Sequence, residues 1–285
     1  MKKELSRIAI HRFVIVSSIL IVGSWVGAEP FGINAHIPND QVVEKIHAAG
    51  IEWVRIDFVW SKIESERDIY TWKQYDALLE RLESRGLRAY ATIQGTPAWA
   101  TSGPEFSGVP DDVNQWQEFV FLAANRYRGR IAAWGIWNEP NLSKFWDGTR
   151  SEYINNLLIP GAVAVRAADP NALVCGPDLA HLSSARWQNW MREVIKQAGD
   201  FIDVLTHHYY PPRGKASELA FDFNHKPEFF WGPPSGRDVL KDTGWWGRPF
   251  WLTETGVQSH IEGPGDQADY IAEIVGDWFG RSPEG

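Results

Sequence analysis

Residues 131–137 read IAAWGIW, a short apolar run that stops at Asn138-Glu139-Pro140-Asn141. Its length and its β-branched and aromatic content predict a strand buried on both faces, with an acid standing at its end. Six more runs have the same character: FGINAHI (31–37), IEWVRIDF (51–58), LRAYATI (87–93), ALVCG (172–176), IDVLTHH (202–208) and PFWLT (249–253). Amphipathic stretches follow them, predicting helices at Asp40–Ala49, Trp72–Arg85, Asp111 or Asp112 to Tyr127, Ser151–Ala168, Ser183–Gln197, Ser235–Asp242 and Asp266–Phe279. Strict alternation implies a parallel sheet, because each parallel connection needs a crossover. Either a doubly wound open sheet or a (β/α)8 TIM-type barrel fits. The first strand is not followed by Gly-x-Gly-x-x-Gly, so the α/β barrel is preferred. Only seven strand-helix units are counted; the expectation is a barrel lacking its eighth unit at the C-terminus, with a sheet edge left uncovered.

The chain has 285 residues, 22% charged, with a formal net charge of -8. An acidic balance argues against nucleic acid as partner, since phosphate contacts need a basic face. The single cysteine, Cys175, excludes an internal disulfide and a cysteine-built zinc site. Lys2, Lys3, Arg7 and Arg12 precede an apolar run from Phe13 to Val26 that ends in small residues. This pattern predicts a signal peptide over residues 1–28, or an uncleaved membrane anchor, and one barrel domain over 29–285 that is secreted or periplasmic. The sixteen tryptophans hint at faces on which flat ligands such as sugar rings stack.

In α/β barrels the reacting groups lie at the C-terminal ends of the strands. Those ends carry His36, Asp57 with Trp60, Gln94 with Trp99, Asn138-Glu139, His208 with Tyr210, and Glu254. A glutamate at the end of a buried strand carries a desolvation cost unless it is paired or used. Glu139 and Glu254 are three strand-helix units apart, which predicts two carboxyls facing across a barrel mouth. Glycosidic bond cleavage needs such a pair, one protonated to assist the leaving oxygen and one ionised. Arg55, on the second strand, can keep one of them charged. A sugar-binding module would not need two matched acids. A metal hydrolase would have to use His36, His207, His208 and Asp57, which lack ligand-type spacing, so no metal or cofactor is expected. A truncated, inactive glycosidase remnant is the other alternative.

WNEPN (137–141) and LTETG (252–256) resemble the two catalytic signatures of the clan GH-A glycoside hydrolases. Within it the chain is similar to family 39 and to cellulase-like family 5 enzymes. WVRIDF with Trp60, Ser61 and Glu64, then TPAWA (96–100), and the tyrosine two residues after His208 extend the likeness over about residues 31–270. The resemblance implies a retaining hydrolase of a β-linked sugar (a xyloside, a glucan or an exported polysaccharide), with Glu139 as acid/base and Glu254 as nucleophile. It implies that Asn138 holds the sugar 2-hydroxyl, that Arg55 and Tyr210 position Glu254, and that His208 orients the acid or the sugar. Trp60, Trp99 and Trp146 become expected stacking platforms and His36 an expected hydroxyl contact. His-His-Tyr-Tyr (207–210) offers two registers, of which the one using His208 and Tyr210 is preferred because Pro211 follows. Gln94 stands near where related families often carry histidine, and no counterpart is found to the aromatic residue that commonly ends their eighth strand.

Overall fold

The computed structural model describes residues 19–21, 31–224, 234–257 and 263–279. Seven parallel strands run in sequence order round a nearly closed barrel: β2 (Phe31–Asn34), β3 (Trp53–Val59), β4 (Arg88–Gln94), β5 (Ile131–Ile136), β6 (Leu173–Leu179), β7 (Val204–Tyr209) and β8 (Phe250–Thr255). β1 (Ile19–Ile21) is antiparallel to β2, with Leu20 opposite Gly32, and also lies beside β8. The barrel expectation holds, and no eighth parallel strand is found among the described residues. Apart from Ile19–Ile21, the apolar run of the expected signal segment lies outside the described residues.

The crossover helices begin where the side chains cap them. Asn39 accepts from the Val42 amide before α1 (Asp40–Ala48), and Asp112 accepts from the Asn114 amide. α2 (Trp60–Ile63), too short to carry a periodic signal, precedes α3 (Lys73–Glu83), and α4 (Val113–Arg126) follows β4. The predicted 151–168 helix is three pieces: α5 (Arg150–Glu152), a π-helical segment (Tyr153–Leu158) and α6 (Ile159–Ala168). α7 (Trp187–Ala198), α8 (Ala216–Asn224), α9 (Gly236–Asp242) and α10 (Pro264–Phe279) complete the set. α8 has no counterpart in the periodicity reading. β6 runs three residues beyond its predicted end, through Gly176-Pro177-Asp178.

Because alternate strand residues share a face, the barrel interior is built in layers. Trp53, Tyr90, Ala133, Cys175, Val204 and Trp251, one from each of β3–β8, form a buried apolar plug, with Trp53 edge-on to Trp251 at 5.9 Å. Two residues further along, Arg55, Thr92 and Thr253 form a polar layer above it. Gly135 on β5 makes room for that layer: a Cβ there would come within 2.5 Å of the Tyr90 hydroxyl. One step higher, Asp57 and Gln94 reach the open mouth. Outside, the helices bury a second and larger core against the sheet, centred on Phe58, Trp60, Trp116, Phe119 and Trp134.

Candidate active site

Arg55 is the hub of the polar layer and only 2% exposed. Its guanidinium donates to Thr92 Oγ1 (2.9 Å), Glu254 Oε2 (3.1 Å), Asn138 Oδ1 (2.9 Å) and Asp178 Oδ2 (3.3 Å). A buried guanidinium is tolerable only when its fork is filled in this way. Burial opposes its charge, but Asp178 and Glu254 outweigh burial and hold the proton more firmly than usual.

Glu139 leaves β5 through a tight turn in which Trp137 (φ 76°) and Glu139 itself (φ 44°) take left-handed backbone conformations. Such conformations cost roughly 1–3 kcal/mol each in non-glycine residues and persist when the surroundings over-determine them. Here the Glu139 amide donates to the Asp178 carbonyl (3.0 Å), and Asn141 exchanges two hydrogen bonds with the backbone of Ala180. The indole N–H of Trp137 reaches the Phe145 carbonyl and that of Trp146 the Thr149 carbonyl, pinning the same loop from below.

Glu254 is at the end of β8, where a register shift pairs His208 with Glu254 directly after His207 with Leu252. This irregularity aims Glu254 inward, toward Arg55 and the Tyr210 hydroxyl, which donates to Glu254 Oε1. His208, fully buried, sits between the two glutamates: its Nδ1 is 3.0 Å from Glu139 Oε1 and 3.3 Å from Glu254 Oε2. With those two legs laid end to end, the two oxygens can be no more than 6.3 Å apart. Burial acts to drive the proton off His208, yet Glu254, Asp178 and Glu139 reverse this, and its pKa is pushed up to about 9. Burial alone would raise Glu254, but His208 and Arg55, with the Tyr210 hydrogen bond, hold it below its ordinary value and so ionised.

A pocket of about 880 Å³ opens over this pair. Asn34, His36, Asp57 and Gln94 give it a polar lining from β2–β4, and the loops after β5 and β6 add Leu142, Phe145 and Leu182 with Lys144 and His181 among them. His36 stands in the pocket wall, with its Nδ1 2.8 Å from Asp57 Oδ2. Their mutual hydrogen bond raises the pKa of His36, while Asp57 is held down by His36 against the effect of burial.

The structure therefore brings Glu139, Glu254, Asn138, Arg55, His208, Tyr210 and His36 to one cavity. Of the two registers in His-His-Tyr-Tyr, His208 and Tyr210 are the pair that meets the glutamates. His207 is turned away, its Nε2 2.8 Å from His181 Nδ1, and burial then His181 keep it uncharged. The expected stacking platforms are not there. Trp60 is fully buried against Phe119 and Trp116, Trp146 is wedged between Trp137 and Tyr153, and Trp99 binds the Glu64 carbonyl through its indole N–H. Among the described residues, no tryptophan lines the pocket. Packing removes the faces of Trp60 and Trp146 from ligand, while Trp99 is half-buried and its indole N–H is tied to the Glu64 backbone outside the pocket lining. Asp178, the residue that sequence reading missed, is fully buried and touches Arg55, Tyr90 and Thr253. The available signal was an acid immediately beyond an apolar strand, hidden by ending that strand at Gly176. Among the described residues, no group of three or more His, Cys, Asp or Glu is arranged to hold a metal ion.

The chain is 26% identical over 168 residues to a beta-xylosidase of Caldicellulosiruptor saccharolyticus, a match covering 54% of this chain and 33% of that protein. It is 28% identical over 109 residues to a beta-xylosidase of Geobacillus stearothermophilus, covering 35% and 21%. The chain thus spans a third or less of the length of these curated relatives. Among solved structures, a GH39 beta-xylosidase from Caulobacter crescentus shares the fold, with a TM-score of 0.67 at 20% identity over 95% of this chain and 61% of that one. The family model for glycosyl hydrolases family 39 matches residues 35–226, about two thirds of the chain. Read together with the barrel and the paired glutamates, that match gives the conclusion: the chain belongs to glycosyl hydrolases family 39.

Proposed function

We propose that the chain is the catalytic barrel of a retaining β-glycosidase, in which Glu139 is the acid/base and Glu254 the nucleophile. One observation carries the reading: a single buried imidazole nitrogen lies within 3.3 Å of an oxygen of each glutamate. Glu139 Oε1 and Glu254 Oε2 are then at most 6.3 Å apart, compatible with the ~5–5.5 Å separation of retaining carboxyl pairs. In the first step a Glu254 oxygen bonds to the anomeric carbon, the glycosidic C–O bond breaks, and Glu139 gives its proton to the leaving oxygen. In the second, water attacks the anomeric carbon, Glu139 takes the water proton, and Glu254 leaves as carboxylate. Arg55 and Tyr210 hold Glu254 in place and ionised, and Asn138 receives the sugar 2-hydroxyl. The polar lining with His36 holds the sugar whose bond is cut. The lining with Leu142, Phe145 and Leu182 adjoins the Glu139 loop and takes the leaving group. The relatives named beta-xylosidase make β-xylosides the first substrates to test, ahead of glucans and exported polysaccharides. Residues 1–28 have the pattern of an export signal, so the site of action is placed outside the cytoplasm or at its membrane.

The test is hydrolysis of a panel of chromogenic β-glycosides and soluble polysaccharides, with the product followed by NMR from the first seconds. The β-anomer should appear first. Initial release of the α-anomer overturns the double displacement, and turnover unaffected in Glu254→Ala overturns the site. Glu139→Ala should lose about 10²–10⁴-fold on poor leaving groups and far less on nitrophenolates, which need little acid assistance. An equal loss on both removes Glu139 from the acid role.

A further inference from the structure

Asp178 is a fully buried charge in the barrel and takes no part in the steps above. Its carboxylate is at zero exposure, at the end of β6, in a left-handed backbone conformation (φ 52°). Every neighbour holds it in one orientation. Its amide donates to Thr206 Oγ1, Tyr90 and Arg55 donate to Oδ2 at 2.8 and 3.3 Å, and the Thr253 hydroxyl donates to Oδ1. What Oδ1 faces beyond Thr253 is His208 Nε2, at 3.6 Å, an ion-pair separation rather than a hydrogen bond. His208 Nε2 is itself buried and has no hydrogen-bond partner.

We infer that Asp178 is a positioning residue whose buried carboxylate, set behind His208, keeps that imidazole a doubly protonated cation with its other N–H turned to both glutamates. This rests on the retaining reading of the site. When the glycosyl ester forms, the negative charge leaves Glu254, which becomes an ester, and appears on Glu139, which has given up its proton. A cation 3.0 Å from one oxygen and 3.3 Å from the other meets the charge in both places without moving. A neutral imidazole would favour only one of the two states.

The cation needs a fixed counter-charge, because buried histidine ordinarily sheds its proton. The charged and titratable groups around His208 are Glu139 beyond β5, Asp178 on β6, Glu254 on β8, Arg55 on β3, Tyr210 beyond β7 and its uncharged chain neighbour His207. Arg55 opposes the imidazolium charge. Glu139 and Glu254 each lose their charge during turnover. Asp178 does neither: Arg55, His208 and Thr253 outweigh burial and hold it ionised far into acid. It is thus the one anion here whose charge the reaction leaves untouched.

Two measurements test this. In the unaltered protein, ¹⁵N-histidine NMR at pH 7 should show His208 with both ring nitrogens protonated. A neutral His208 at that pH overturns the inference, whether or not the protein hydrolyses any glycoside. In Asp178→Asn, which keeps the shape and an oxygen for Tyr90, His208 should titrate at least one pH unit lower. The alkaline limb of kcat should move by the same amount, and kcat should fall at least tenfold while KM changes less than threefold. An Asp178→Asn protein that is folded, with an unmoved His208 titration and pH profile, reduces Asp178 to a structural residue and overturns the inference. If that variant does not fold, the NMR state of the unaltered protein decides alone. Absence of hydrolysis combined with a cationic His208 would count against the function and not against this role for Asp178.

Discussion

Replacing Arg55 with methionine removes a charge that four partners depend on while keeping most of the aliphatic volume. In the variant, Asp178 at zero exposure and Glu254 at 19% side-chain exposure lose the guanidinium and are left with His208 alone as counter-charge, and the Asn138 carbonyl loses its donor. Breaking a buried pair from one side costs about 3–5 kcal/mol, because the surviving charge remains desolvated. For a domain of this size each kcal/mol lowers Tm by about 2–4 °C, so the expected drop is roughly 6–20 °C. Calorimetry at pH 7, checked against urea unfolding, measures it. The pH dependence separates charge from packing. In the native protein Asp178 and Glu254 have folded pKa values below their unfolded ones. Their stabilisation is therefore present above the unfolded values, about 3.9 and 4.3, and lost as pH falls through the folded ones. Without Arg55 the folded values rise and the carboxyls take protons sooner. The gap between the two proteins should be full at pH 7 and contract below about pH 5. A loss under 1 kcal/mol, or a gap of constant size from pH 7 to pH 4, would refute the account of Arg55 as the counter-charge of this layer.

Three further outcomes follow from the same geometry. His208 is raised from 6.5 to about 9 in the folded state, so it contributes about 3 kcal/mol that is fully present below pH 6.5 and lost between there and pH 9; a flat urea midpoint across that window would contradict it. Trp60→Ala should cost about 3–5 kcal/mol of stability, as large-to-small core changes do, with KM of the folded protein as in the native one; a raised KM with native stability would restore Trp60 as a sugar platform. Gly135→Ala drives a methyl to 2.5 Å from the Tyr90 hydroxyl and 3.2 Å from Thr92 Oγ1. It should destabilise by about 1–3 kcal/mol and lower kcat, since Tyr90 is displaced from Asp178; a neutral outcome in thermal melts would mean that the polar layer yields more readily than its packing suggests.

The elements that sequence reading placed well are those whose identity is local. An apolar run of five to eight residues flanked by amphipathic stretches reads as a buried parallel strand, and Glu139 and Glu254 stand out because an acid at such a point is costly without a task. Arg55 stands out in the same way, being a charge within Trp53–Val59. Asp178 failed that test only because the apolar run ends at Gly176; the strand continues past it, since the backbone of Glu139 beyond β5 and the side chain of Thr206 on β7 supply partners. The tryptophans were misread for a different reason. Whether an indole faces ligand or core depends on what the following helices bring against it. Trp60 is covered by Trp116 and Phe119 from α4, more than fifty residues away in the chain. No pattern near residue 60 contains that information.

The anchoring of indoles has an optical consequence. Trp53, Trp60, Trp116, Trp134, Trp137, Trp187 and Trp245 are all sealed from solvent, and none borders the cavity. Ultraviolet emission from these seven indoles therefore gauges the intactness of the interior: their share should shift strongly to the red when urea opens the barrel, and a saccharide settling between the glutamates touches none of them.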